Sequence, residues 1–103
     1  MSNQIQWASY GFDVCLKDGN WRKVGGIYIL AGITPQGWVA YYIGKTVDFS
    51  ARPASYHEMW AAAVRLGATH VHAMEVGQES QRVAIEAELI RLYQPILNVQ
   101  HKH

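Results

Sequence analysis

The fold of this chain is decided by two runs of sequence, Gly26-Ile27-Tyr28-Ile29-Leu30 and Trp38-Val39-Ala40-Tyr41-Tyr42-Ile43. Both runs are rich in β-branched and aromatic residues, which favour strands. Between them, Ile33-Thr34-Pro35-Gln36-Gly37 places a proline and a glycine where a turn is expected. Because the connection is so short, the two strands are predicted to form an antiparallel hairpin.

A helix is expected after the hairpin. Asp48 is a candidate N-cap for a helix that carries Arg52. Pro53 complicates this assignment, because proline is comfortable only in the first turn of a helix. Gly67 is a natural C-terminal stop. An apolar stripe with helical spacing precedes it, formed by Tyr56, Trp60, Ala63 and Val64.

The remaining segments complete a small α+β fold. Residues 69–76 have the composition of a strand, and residues 79–93 form the strongest helical segment, which Pro95 ends. Alternating residues around Phe12 indicate one short strand near the N-terminus. We predict a domain over residues 25–103 with a central antiparallel β-sheet of about three strands flanked by helices. Residues 1–24 are predicted to be an N-terminal extension with room for one extra strand.

Composition excludes several classes of protein. The 103 residues include 9 Lys and Arg against 8 Asp and Glu, and this net charge of +1 excludes a strongly basic nucleic-acid coat. The single cysteine, Cys15, excludes an internal disulfide and a cysteine-based zinc cluster. The chain has neither an apolar run of about 18 residues nor a signal-peptide pattern, so we expect a cytoplasmic protein without a membrane partner.

The last helix carries a carboxylate on its apolar side. With about 100° of rotation per residue, Glu86 falls between Ile90 and Leu89, whereas Glu88 falls on the opposite side near Arg91. We therefore predict that Glu86 faces the body of the protein and that Glu88 faces water. An inward carboxylate is costly unless it is paired, hydrogen-bonded or bound to a metal ion. A structural ion pair and a functional site both remain open for Glu86 at this point.

Taken together, these features resemble the GIY-YIG nuclease family over about residues 25–98. The first motif corresponds to Gly26-Ile27-Tyr28 and the second to Tyr42-Ile43-Gly44, followed by Lys45. Arg52 corresponds to the family's helix arginine. The C-terminal match consists of Glu86, Pro95 and Asn98, and it selects the same carboxylate as the helical spacing.

The resemblance implies an endonuclease that hydrolyses phosphodiester bonds of nucleic acid, DNA rather than RNA, with one divalent metal ion, Mg²⁺ or Mn²⁺. It implies that Glu86 binds the metal and that Arg52 stabilises the phosphate and the transition state. A tyrosine acts as general base, Tyr28 as first choice and Tyr42 as a close second. Its pKa must be lowered from about 10, and Lys45 is the expected source of positive charge.

Three further residues are assigned by the same resemblance. Many family members carry His four residues after the helix arginine, and others carry Tyr. Here position 56 is Tyr, as in the branch that includes the incision subunit of bacterial excision repair, and position 57 is His. Tyr56 and His57 are therefore both candidates for the catalytic group. Asn98 is expected to bind substrate or to orient the last segment.

Two other functions remain open from the sequence. The same residues could belong to a non-catalytic module that binds nucleic acid or protein, since a fold does not guarantee a reaction. His70 and His72 have the spacing of two zinc ligands, although a third ligand is not evident. For the nuclease, the net charge of +1 is small for tight binding of phosphates, so we expect a homodimer or a separate DNA-binding partner.

Overall fold

The computed structural model describes residues 4–15, 22–51 and 54–100. One antiparallel sheet contains five strands in the spatial order β1-β2-β5-β3-β4, and it curls into a half-barrel. Within these ranges three α-helices accompany the sheet, and the last of them is short. The strands are β1 (Gln4–Trp7), β2 (Tyr10–Cys15), β3 (Gly26–Thr34), β4 (Gly37–Thr46) and β5 (His70–Glu75), and the helices are α1 (Ala54–Leu66), α2 (Glu79–Tyr93) and α3 (Ile96–Gln100).

The predicted fold class, a sheet of about three strands flanked by helices, is wrong. The N-terminal extension contributes two strands instead of one, and β2 pairs directly with β5 through Asp13↔Ala73, Val14↔His72 and Cys15↔Val71. Strands β1 and β2 therefore extend the sheet that contains β3, β4 and β5. Without β1 and β2, strand β5 would be an edge strand with unpaired backbone N–H and carbonyl groups. The N-terminal hairpin pairs with this edge, so the molecule is mostly sheet.

The predicted hairpin of β3 and β4 is confirmed. Its turn is built by Thr34, whose hydroxyl accepts the backbone N–H of Gln36 and donates to the carbonyl of Gly37. Gly37 has a φ of 113°, which side chains rarely adopt, so glycine is needed at this position. A register shift between Leu30 and Ala31 produces a bulge in the ladder.

Apolar residues fill both faces of the sheet. On one face, Tyr28 and Leu30 of β3 pack with Met59 and Ala63 of α1 and with Leu97 of α3. On the other face, a second cluster contains residues from strands β1 to β4, from helix α2 and from the segment after β5: Trp7, Phe12, Ile27, Ile29, Ala31, Ile43, Val76 and Leu89. Because strand side chains alternate between faces, β3 supplies neighbouring residues to both clusters.

The predicted final helix is confirmed with its expected limits, Glu79–Tyr93. Gln94 ends it in the left-handed conformation, and its backbone N–H donates to the carbonyl of Ile90. Pro95 follows and prevents the helix from continuing. Within the described ranges, none of the helices has the length and apolar character needed to cross a membrane.

Candidate active site at the outer edge of the sheet

Two of the predicted site residues, Tyr28 on β3 and Tyr42 on β4, meet where β4 forms the edge of the sheet. Tyr28 is 2% exposed and its ring lies 6.1 Å from the ring of Tyr42, centroid to centroid. Their side chains are hydrogen-bonded to each other. Tyr42 is half-buried, so it is the more accessible phenol of the pair. Lys45 follows on the same strand.

Gly44 lets the Tyr28 ring cross to β4. The two residues are direct partners across the hairpin. A Cβ atom on Gly44 would lie 2.5 Å from both the Cζ atom and the hydroxyl oxygen of Tyr28. Since real Cβ atoms do not approach so closely, only glycine leaves room for the phenol at this point. The glycine of the second motif thus positions the tyrosine of the first.

Glu86 approaches the phenols from the other side of β4. Its helix, α2, packs against β4 and shares the second apolar cluster with Ile43. Glu86 is half-buried, and this desolvation raises the pKa of its carboxyl. The positive charge of Lys45 opposes the rise in the Glu86 pKa, and the charge of Glu79 adds to it. The inward orientation predicted for Glu86 is confirmed.

The pKa of Tyr42 is raised, contrary to the lowering by Lys45 that the sequence led us to expect. Burial raises the pKa of Tyr42 most, and the carboxylates of Glu86 and Glu58 raise it further. The hydrogen bond with Tyr28 acts in the opposite direction on the Tyr42 pKa. Glu86 and Tyr42 are therefore within electrostatic reach of each other, although they belong to opposite sides of the edge strand.

Glu88 does not face water, contrary to the prediction from helical spacing. Its carboxylate accepts a hydrogen bond of 2.6 Å from the hydroxyl of Tyr10 in β2. This contact raises the pKa of Tyr10. The rotation of about 100° per residue describes the helix alone, so it could not predict a contact between Glu88 and the N-terminal hairpin.

Asn98 binds the backbone of the edge strand. Its Oδ1 atom accepts the N–H of Ile43 at 2.8 Å, and its Nδ2 atom donates to the carbonyl of Ile43 at 2.9 Å. The amide thus occupies the outer edge of β4 in the place of a further strand. Asn98 therefore holds the backbone of Ile43, the residue after Tyr42, and acts here as a positioning residue.

We expect Asn98→Ala to destabilise the protein, because it removes both hydrogen bonds and leaves a part-buried backbone N–H and carbonyl without them. The free energy of unfolding should fall by about 1–3 kcal/mol, measured by urea denaturation. A matched control is Gln78→Ala, since the Gln78 side chain makes no capping bond at the start of α2. The control should change stability by less than about 0.5 kcal/mol. Equal stabilities for the two variants would contradict the positioning role.

The remaining predicted site residues fall outside the described part of the chain. Arg52 belongs to this group, and so do the side chains of Tyr56 and His57 in the first turn of α1. Just before them, Asp48 accepts hydrogen bonds from the backbone N–H and the hydroxyl of Ser50, which starts a single turn of 3-10 helix at Phe49–Ala51. The predicted N-cap therefore begins this turn.

The two histidines considered as zinc ligands have other neighbours. Nδ1 of His72 accepts the indole N–H of Trp7 at 2.9 Å, and Nδ1 of His70 lies 2.8 Å from the hydroxyl of Thr69. Among the described residues, no group of three or more His, Cys, Asp or Glu side chains could hold a metal ion. A zinc site with four protein ligands therefore does not fit these residues.

A cavity of about 240 Å³ lies elsewhere on the sheet, beside Cys15 of β2 and Glu75 of β5. Two of its lining residues, Arg22 and Glu75, form an exposed ion pair of 3.4 Å. Burial raises the pKa of the Cys15 thiol, so the thiol is not activated as a nucleophile. Among the residues that the structure describes, none of those predicted for phosphodiester chemistry lines this cavity.

Comparisons of the chain with protein-family models, with curated proteins and with solved structures found no match. The side-chain arrangement at the edge of β4 is therefore the ground for a functional proposal. The sequence could have indicated its supporting contacts only in part, since the bond from Asn98 to Ile43 joins residues 55 positions apart.

Proposed function

We propose that the protein is a metal-dependent endonuclease of the GIY-YIG type that hydrolyses phosphodiester bonds, with DNA as the preferred nucleic acid. The observation that carries the proposal is a pair of hydrogen-bonded phenols at the edge strand, with the half-buried carboxylate of Glu86 within electrostatic range of Tyr42 and of Lys45. A core would not need this set of polar groups, because burial of a carboxylate is costly without a partner.

Glu86 fits a role as ligand of Mg²⁺ or Mn²⁺. It supplies one carboxylate, and Mg²⁺ is commonly held by one or two carboxylates together with waters and substrate phosphate oxygens. Desolvation of Glu86, which raises its pKa, would be offset by a bound cation. When bound, such an ion supplies a Lewis acid that stabilises negative charge on the phosphate.

Within this proposal, Tyr42 is the general base and Tyr28 positions it. Tyr42 is the more accessible of the two phenols, whereas Tyr28 is 2% exposed and held over Gly44. In its deprotonated form, the Tyr42 phenolate would take a proton from the attacking water as the new bond to phosphorus forms and the bond to the leaving oxygen breaks, and the leaving alkoxide would then take up a proton from solvent water. A cation held by Glu86 would remove the contribution of that carboxylate to the raised Tyr42 pKa, while burial, the larger cause, would still raise it.

Arg52 and Lys45 are proposed to bind the phosphate. The resemblance places Arg52 at the helix position that contacts phosphate oxygens, where a guanidinium offers several donors in one plane. Lys45 lies on β4 opposite Ile27, and its charge acts on Glu86. Because the chain has a net charge of only +1, further affinity is proposed to come from a second copy or a separate DNA-binding partner.

A cleavage assay tests the proposal directly. Purified protein is incubated with supercoiled plasmid, duplex and single-stranded oligonucleotides, and RNA of the same sequence, each with Mg²⁺, with Mn²⁺ or with a chelator. We expect cleavage of DNA in the presence of either metal and none with chelator. Arg52→Ala should reduce cleavage, because it removes positive charge from the transition state.

The outcomes separate the alternatives. Cleavage that persists in chelator would contradict the metal assignment. Binding of nucleic acid without cleavage, unchanged by chelator, would instead support a non-catalytic binding module.

A further inference from the structure

His72 is a fully buried histidine whose ring lies between two tryptophans. It is 0% exposed, and its Nδ1 atom accepts the indole N–H of Trp7 at 2.9 Å. The ring of Trp38 packs against it with centroids 4.5 Å apart and planes at 77°. The Nε2 atom has no hydrogen-bond partner in the described part of the chain. Such an unpaired buried polar atom requires an explanation.

The hydrogen bond from Trp7 defines the state of the ring. Because Nδ1 accepts a proton donor, the neutral ring must carry its own proton on Nε2. A second proton would have to go to Nδ1, where it would face the N–H of Trp7. Protonation therefore replaces a hydrogen bond with two opposed donors, and it leaves a buried charge without an acceptor.

The surroundings of His72 offer no compensating negative charge in the part of the chain that the structure describes. The residues opposite it on the neighbouring strands are apolar, Val14 on β2 and Ile29 on β3. From β1 and β4 it meets the two tryptophans, and on α2 the phenol of Tyr93 contacts Trp7. On its own strand, the charge that acts on His72 is that of His70, which is also positive when protonated.

From this geometry we infer that the Trp7–His72 contact is an acid-sensitive latch, which holds the β1–β2 hairpin on the sheet and releases it when His72 takes up a proton. Among the described residues, the hairpin is also attached by the burial of Phe12 in the second apolar cluster and by the three residue pairs between β2 and β5. Two hydrogen bonds add to these contacts, one from Tyr10 to Glu88 and one from the backbone N–H of Ala8 to Tyr93. Strands β3 and β4 pair directly with each other from Gly26↔Thr46 to Thr34↔Gly37, so they should stay paired.

The direction of the pH effect follows from the buried state of the ring. Burial, with a contribution from His70, lowers the pKa of His72 to about 4 from its ordinary value of 6.5. An opened hairpin exposes the ring and restores the ordinary pKa. The closed state is therefore fully favoured above pH 6.5, and below it the opening equilibrium grows about tenfold per pH unit until about pH 4.

Hydrogen exchange measured by NMR on the full chain tests the latch. Protection factors are compared between pH 7 and pH 4.5 for amides of β1 and β2 and for amides of β3 and β4. We expect hairpin protection to fall by about a hundredfold over this range, as two pH units below 6.5 imply. Protection in β3 and β4 should fall much less. The Trp7 indole proton should lose its protection together with the hairpin.

Variants assign the effect to His72. His72→Asn keeps an acceptor near the Nδ1 position but cannot take up a proton in this range, so hairpin protection should no longer depend on pH. The matched control His70→Asn should retain a clear pH dependence of hairpin protection. A second variant, Glu88→Gln, removes any pH dependence that comes from protonation of the carboxylate bound to Tyr10. A pH dependence in His72→Asn equal to that of the parent would overturn the latch.

A direct measurement covers the case in which His72→Asn does not fold. The nitrogen chemical shifts of His72 in the parent protein report which ring nitrogen carries the proton. We expect a neutral ring with its proton on Nε2 at pH 5.5 while the hairpin is closed. A His72 ring that titrates near pH 6.5 without any change at the Trp7 indole would refute the inference.

Discussion

Replacement of Glu86 by glutamine should abolish metal-dependent cleavage while leaving the protein folded. The amide keeps the size of the side chain but removes the negative charge that would hold a divalent cation at the edge of β4. Loss of the several kcal/mol that such an ion contributes corresponds to a fall in cleavage rate of about a thousandfold or more. The measurement is the initial rate of plasmid nicking at saturating Mg²⁺.

The stability of Glu86→Gln should move in the opposite direction from its activity. Burial raises the pKa of Glu86, which means that the charged carboxylate is disfavoured where it lies. A neutral amide avoids this cost, so the melting temperature should stay the same or rise. Loss of activity together with retained or increased stability is typical of a functional group, whereas a structural carboxylate would lose both.

Glu88→Gln is the matched control on the same helix. Its amide oxygen can still accept the hydroxyl of Tyr10, so the contact with the N-terminal hairpin is kept. We expect cleavage close to that of the parent. If Glu86→Gln cleaves normally, or if Glu88→Gln is the inactive variant, the metal assignment is wrong.

The contrast between Glu86 and Glu88 shows which features of the site the sequence could predict and which it could not. Spacing along α2 was enough to turn Glu86 toward the body of the protein, because Ile90 and Leu89 fix the buried side of the helix. The same spacing failed for Glu88, whose partner Tyr10 lies 78 residues away in a strand with weak local signals. Apolar periodicity predicts which side of a single helix or strand is buried. It does not predict contacts between helices and strands that are far apart in the sequence.

The error in the fold class has the same origin. Residues 26–43 carry strong strand propensity and a turn with proline and glycine, so the β3–β4 hairpin was predictable. In contrast, β1 has only four residues, and Trp7 is the one among them that is buried. No local sequence signal in β1 or β2 indicates that their hairpin will pair with β5. The sheet therefore has two more strands than its central segments predict.

Replacement of Gly44 by alanine should damage both the site and the core. The new Cβ would lie 2.5 Å from two atoms of Tyr28, and the ring has little space to move because it packs with Leu30, Phe49 and Met59. Overpacking of this kind costs about 1–3 kcal/mol of unfolding free energy. Displacement of the Tyr28 phenol also disturbs its hydrogen bond to Tyr42, so cleavage should fall by about tenfold to a hundredfold.

Two further variants identify the contact with Tyr28 as the cause of this damage. Gly11→Ala is the control for glycine in a strand, since a Cβ atom at that position would have no neighbour within 4 Å, and it should match the parent in both measurements. Gly44→Ala combined with Tyr28→Phe removes one of the two closest atoms, so it should recover part of the stability but none of the activity. This coupling distinguishes a specific clash from a general loss of strand flexibility. Full stability and full cleavage in Gly44→Ala alone would show that the Tyr28 ring does not cross β4 at this point.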